Sequence, residues 1–242
     1  MRRAGQITGL ALAAAGRAVA PGVTTVQLDK IARAVIEEYG AKPAFLGYHG
    51  YPATINASLN DEVIHGIPGS RRLKEGDIVS IDVGAQLDGF IGDCAATFAV
   101  GQISPEAARL VAVTRQCFFE GLRMAREGGH LYAISKAVQD YAEQNGCSVV
   151  REFTGHGVGT QLHEEPEVPN FVPDDRGRGP RLRSGMCICI EPMVCAGSPH
   201  IHVGRDGWTV TTADGKLSAH YEHSVLITTG EPELLTWVEG SL

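Results

Sequence analysis

The chain has 242 residues, 43% hydrophobic and 20% charged, enough to bury one large core. Its formal net charge of −7 lacks the basic footprint that a nucleic-acid site demands, and no run of about 20 apolar residues is available to span a membrane. Six cysteines (Cys94, Cys117, Cys147, Cys187, Cys189, Cys195) show neither a Cys-x-x-Cys motif nor a secreted-framework spacing, so reduced, buried thiols in a cytoplasmic protein are expected.

Met1-Arg2-Arg3 leads an alanine-rich run, but Gln6 and Thr8 interrupt its apolar core and Arg17 follows closely. The segment reads as a surface helix over 2–19 rather than a signal peptide, and Pro21-Gly22 breaks it. Thr24 with Gln27 makes a capping box for a second helix, with an apolar stripe at Leu28, Ile31, Ala32, Val35 and Ile36 and a stop at Gly40. Gly76 to Val83 alternates and is rich in β-branched residues, Asp88-Gly89 is a two-residue hairpin turn, and Phe90 to Val100 returns. With that turn, paired positions sum to 177. Asp82 then faces Ala95, Asp93 faces Gly84, and the two aspartates are diagonal neighbours on one face, about 7–8 Å apart at the backbone. Ser104-Pro105 opens a third helix running to about Glu127, and a fourth spans Leu131 to Asn145. At an offset of 106, Leu28-Asp29-Lys30 falls on Ile134-Ser135-Lys136 and Gly40 on Gly146. The repeated order of helix, helix, strands predicts two similar halves, about 1–101 and 102–242, within one domain, since no linker divides them. The polar stretch Pro173 to Ser184 is expected to be a surface excursion.

Two like charges on a mostly apolar hairpin repel unless a proton or cation joins them. A solvated strand face would also explain Asp82 and Asp93 taken alone. Three further segments carry ligand types: Gly155-His156-Gly157-Val158-Gly159, Cys187-Ile188-Cys189-Ile190-Glu191-Pro192, and His220-Tyr221-Glu222-His223. A glutamate closing so apolar a strand as Glu191 does needs a charged partner. Glu222 likewise enters an apolar strand. As a set, four carboxylates and one neutral imidazole carry −4, which balances two divalent cations, and oxygen-rich ligation with one nitrogen suits Mn, Fe, Co or Zn. Cys187 and Cys189 are read as small apolar fillers rather than ligands.

With these segments, Gly47-Tyr48-His49-Gly50-Tyr51-Pro52, Val63-Ile64-His65-Gly66-Ile67-Pro68, His163-Glu164-Glu165-Pro166 and Ile190-Glu191-Pro192-Met193 complete an ordered series. The chain resembles the bacterial-type (type I) methionine aminopeptidases over essentially its whole length. The resemblance implies the pita-bread α/β (α+β) fold, two pseudo-symmetric halves of helices packed on a curved antiparallel sheet. It implies that Asp82 chelates one metal, that Asp93 and Glu222 bridge both, and that His156 and Glu191 complete the other. His65 and His163 match histidines that contact substrate, and the methionine pocket maps onto Phe45, Tyr48, Tyr51, Asn56, Leu162 and Trp208. The commonest bacterial pattern has cysteines at 45 and 56. Asn56 is therefore expected to be tied back to backbone, narrowing the slot or making it more polar.

The activity implied is hydrolytic removal of the initiator methionine from nascent polypeptides with a small second residue. Glu191 would act as general base, His163 as donor to the oxyanion, and His65 would hold the second residue's amide. A cytoplasmic monomer, in transient contact with the ribosome, is expected. Two rivals share the fold: a proline-directed peptidase with the same ligand set, and a non-enzymatic binding protein, which would be expected to lose ligands.

Overall fold

The computed structural model describes residues 1–173 and 177–238. Helix α1 (Arg2–Arg17) buries Ala4, Ile7, Ala11, Leu12 and Ala15 along one face, which lies on the strands of the predicted hairpin. That approach needs a bare backbone: a Cβ on Gly92 would fall 2.6 Å from the Cα of Gly5. Helix α2 (Thr25–Glu38) opens with the capping box, Gln27 Oε1 accepting from the Thr24 backbone N–H at 2.8 Å. Helix α3 (Pro105–Met124) is capped by Ser104, whose side chain accepts from the Ala107 N–H, and α4 covers Leu131–Gln144. Both α1 and α3 stop short of their expected ends. Past Met124, Ala125 turns out of the helix (ψ 64°) into the core, and Arg126 pairs with Glu231 at 2.6 Å. None of the helices described is long and apolar enough to cross a membrane.

The second helices of the two halves correspond residue for residue. Helices α2 and α4 are each 14 residues long, and both ends match at an offset of 106: Thr25 with Leu131, Glu38 with Gln144. Thr24 bridges Arg72 and His130 bridges Arg181. Ala41 donates to Ile36 O at 3.1 Å and Cys147 to Ala142 O at 3.0 Å, closing the two helices alike. Both helix pairs pack on one face of a nine-stranded antiparallel sheet, α1 against Gly92 and α3 against Ile190. Its main path runs Lys42–Pro43, Ile78–Leu87, Phe90–Ala99, Glu222–Leu226, Cys187–Ile190, Gly155–Gly157, Glu164–Val168. The first half thus supplies one side of the sheet and the second half the other, with Phe90–Ala99 meeting Glu222–Leu226 in the middle.

The hairpin register is the expected one, Asp82 opposite Ala95 and Gly84 opposite Asp93. All six cysteines are free, five of them buried and Cys187 partly so. Of the predicted surface excursion, Gly177 and Arg178 are exposed, while 174–176 lie outside the described residues.

Candidate metal centre

Four strands, and the residue that follows a fifth, each bring one acidic or imidazole side chain to the same place. Asp82 comes from Ile78–Leu87, Asp93 from Phe90–Ala99, Glu222 from Glu222–Leu226 and His156 from Gly155–Gly157. Glu191 was expected to lie on its strand. That strand ends at Ile190, and Glu191 sits one residue beyond, ahead of Pro192. Ala95 is paired with Asp82 on one side and Glu222 on the other, so two carboxylates meet over a single methyl group.

The carboxylates are not satisfied by protein. Asp82 Oδ1, Asp93 Oδ1, Glu191 Oε1 and Glu222 Oε1 are all buried without a hydrogen-bond partner. Unpaired buried charge of this kind costs several kcal/mol, so the group needs protons or cations. Burial pushes Asp82 up to about 7 even though a bond from Asn56 pulls it down. Asp93, Glu191 and Glu222 rise well above the ordinary carboxylate range, first through burial and then through one another's charge. His156 Nδ1 lies 2.9 Å from the Gly157 carbonyl and so carries the proton, which leaves Nε2 free at 3.4 Å from Glu191 Oε1 and 3.8 Å from Asp93 Oδ2. Burial lowers this ring to about 4, so it is a neutral nitrogen donor at physiological pH. Four orphaned carboxylates and a neutral imidazole are the donor set of a pair of divalent ions.

Two further donors reach the cluster. Cys189 Sγ lies with donor atoms of Asp93, His156 and Glu222 within 4.8 Å of one another, and His220 does so with Asp82 and Glu222. Burial raises the Cys189 thiol well above its usual range, in keeping with a protonated filler. His220 is 2% exposed, and its Nε2 stands 3.8 Å from Glu222 Oε2.

The cluster forms the floor of a cavity of about 260 Å³. All thirteen residues singled out from the sequence line it, and Phe153, which was not, is the fourteenth. Phe45 sits over Gly84, where a Cβ would meet its ring at 2.7 Å. Tyr51 donates to the carbonyls of Ile55 and Gly66 at 3.0 and 3.2 Å and meets Trp208 edge-on, ring centroids 5.0 Å apart. Asp206 fixes the Trp208 turn by accepting from the backbone N–H of Trp208 and Thr209, each at 2.9 Å. His65 packs edge-on against Phe153 at 5.6 Å, and burial lowers it to about 4. At the mouth, Tyr48 Oη and His163 Nδ1 are 2.7 Å apart. Asn56 differs from expectation: its Nδ2 donates to Asp82 Oδ2 at 2.6 Å, not to backbone. The reason is register, since Asn56 stands directly opposite Asp82 in the antiparallel pair.

The model of metallopeptidase family M24 matches residues 1–229. A methionine aminopeptidase of Clostridium perfringens is 52% identical over 239 residues, covering 99% of this chain and 95% of its own length. Methionine aminopeptidase 1 of Bacillus subtilis is 48% identical, with 98% and 95% covered. Among solved structures, the methionine aminopeptidase of Thermotoga maritima superposes with a TM-score of 0.95 at 40% identity, over 98% of this chain and 95% of that one. The prolidase of Pyrococcus furiosus shares the fold, with a TM-score of 0.77 at 21% identity, over 98% of this chain and 63% of that one.

Proposed function

The chain belongs to metallopeptidase family M24, and on that premise we propose that it is a dinuclear metal-dependent aminopeptidase that removes the N-terminal methionine from nascent polypeptides, preferring a small second residue. The observation that carries this reading is the juxtaposition of four orphaned carboxylates and a neutral imidazole with an aromatic-walled cavity of about 260 Å³. Asp82, Asp93, His156, Glu191 and Glu222 would hold the two ions (Co, Mn, Fe or Zn). When bound, the ions supply Lewis acidity that lowers the pKa of a water toward neutrality and polarises the scissile carbonyl.

The chain's own groups do the rest. Glu191 accepts a proton at its carboxylate and returns it to the leaving amine. Tyr48, kept protonated by burial, donates its O–H to His163 Nδ1, so His163 carries its proton on Nε2 and can donate it to the developing oxyanion. His65 holds the amide of the second residue. Phe45, Tyr51, Leu162 and Trp208 make an apolar slot for an unbranched thioether, with Asn56 at its floor. The acidic cluster favours a free α-amino group, which makes the action exopeptidic. We further place the activity in the cytoplasm, in one catalytic domain spanning 1–242 that works as a monomer, with transient ribosome contact where its substrates emerge.

The test is a single preparation assayed twice. The protein should hold two equivalents of divalent metal and release methionine from Met-Ala-Ser far faster than from Met-Lys-Ser. Equal rates would point to a broader aminopeptidase, and absence of metal uptake would sink the reading.

A further inference from the structure

We propose that His220 is an additional metal ligand, a second imidazole that serves the ion on the Asp82 side as His156 serves the other. The proposal builds on the metal-centre reading above. Three observations carry it. His220 ends the strand Ser218–His220 and Glu222 opens the next, with Tyr221 alone between them, and donor atoms of both converge with one from Asp82. Its backbone is clamped from both sides by one hydroxyl: Thr97 Oγ1 accepts from His220 N–H at 2.9 Å and donates to His220 O at 2.9 Å. The ring is left with Nε2 buried, without a hydrogen-bond partner and 3.8 Å from Glu222 Oε2, and a ring nitrogen lies within 4.8 Å of an Asp82 carboxylate oxygen.

A histidine that only fills space does not look like this. His223, three residues on, is equally buried, yet its Nδ1 meets Thr236 Oγ1 at 2.8 Å and its Nε2 meets Tyr221 Oη at 3.2 Å. Leaving a buried nitrogen unbonded is costly, and at His220 the missing partner lies on the carboxylate side. Adding a neutral imidazole leaves the ligand charge unchanged, still matched to two divalent ions. It changes the character of the Asp82-side position from all-oxygen to mixed nitrogen and oxygen, which favours cobalt, zinc or ferrous iron over manganese.

The experiment uses the full chain loaded with cobalt(II). In the native dicobalt protein, proton NMR should show two exchangeable, hyperfine-shifted imidazole N–H signals, from His156 and His220. His220→Gln should keep one signal. In calorimetric titration of the metal-free protein, this variant should bind the second equivalent of cobalt about 10–100-fold more weakly, the first within about threefold, and manganese with a smaller loss than cobalt. A single shifted N–H signal in the native protein overturns ligation without recourse to any variant. Equal weakening for cobalt and manganese would make His220 a hydrogen-bond donor to Glu222 and overturn it too. Failure of the native protein to take up cobalt at all would overturn the metal-centre reading itself, and the assignment with it.

Discussion

Asn56 donates to the same carboxylate that is proposed to chelate metal, and so it tunes Asp82 rather than merely shaping the slot. A hydrogen bond to a charged group is worth about 1.5–3 kcal/mol. Asn56→Ala should therefore weaken the Asp82-side ion by roughly 10–100-fold in calorimetric titration; unaltered affinity would show the bond to be idle. Glu191→Gln should fold with near-native stability and all but abolish turnover, because an amide cannot accept the proton; activity within about tenfold of the parent would remove the general-base role. Tyr48→Phe takes away the bond that fixes the His163 tautomer, so kcat should fall about tenfold while KM changes little. A loss confined to KM would make Tyr48 a substrate-packing residue only. At this scale the sequence was informative wherever a residue sits in a distinctive local motif, as with His156 between glycines that let its ring approach a site closely. Phe153 was missed because an aromatic in a loop carries no signal of which way it faces. His220 stood in view beside Glu222, but its placement depends on strand pairing across Tyr221.

Strand pairing decides how much of each element was readable. The hairpin from Ile78 to Ala99 was legible to the single residue because a two-residue turn fixes its register. The insertion of Glu222–Leu226 between that hairpin and Cys187–Ile190 was not, since pairings between segments distant in sequence leave no local trace. Helix starts were legible through their caps, whereas the end of α3 is set by burial of Ala125, a tertiary effect. The middle of the sheet gives a test. Ala95 is fully buried between Asp82 and Glu222, and a longer side chain there would occupy the space where their carboxylates meet. Ala95→Leu should lose at least one equivalent of metal by elemental analysis, with activity lost in parallel and secondary structure retained by circular dichroism. Retention of both equivalents would show that the carboxylates converge elsewhere.

For the molecule as a whole, the cluster ties stability to pH and to metal. Carboxyl groups raised by burial keep protons in the folded, metal-free protein that the unfolded chain gives up, so their contribution falls as pH rises. The buried histidines, lowered to about 3 or 4, act in the opposite sense, but only below about 6.5, where the unfolded rings begin to charge. Above pH 7 the carboxyls act together with the buried thiols, whose pKa values burial also raises, and both sets lower stability as pH climbs. The metal-free protein should thus lose several degrees of Tm between pH 7 and 9 in calorimetry, and added metal should raise Tm more at pH 9 than at pH 7. A metal-free Tm that climbs over this range would contradict the protonation assigned to the cluster. The division of the proposed ligands has a further consequence. Asp82 and Asp93 precede the crossing at Gly101, while His156, Glu191 and Glu222 follow it. The bound pair is then a rivet between two similar halves of the chain, and its grip is set by free ion supply. Scarcity of the ion would loosen the seam as it stopped the chemistry, and a backbone severed at Gly101 would be held together by metal in place of the missing peptide bond.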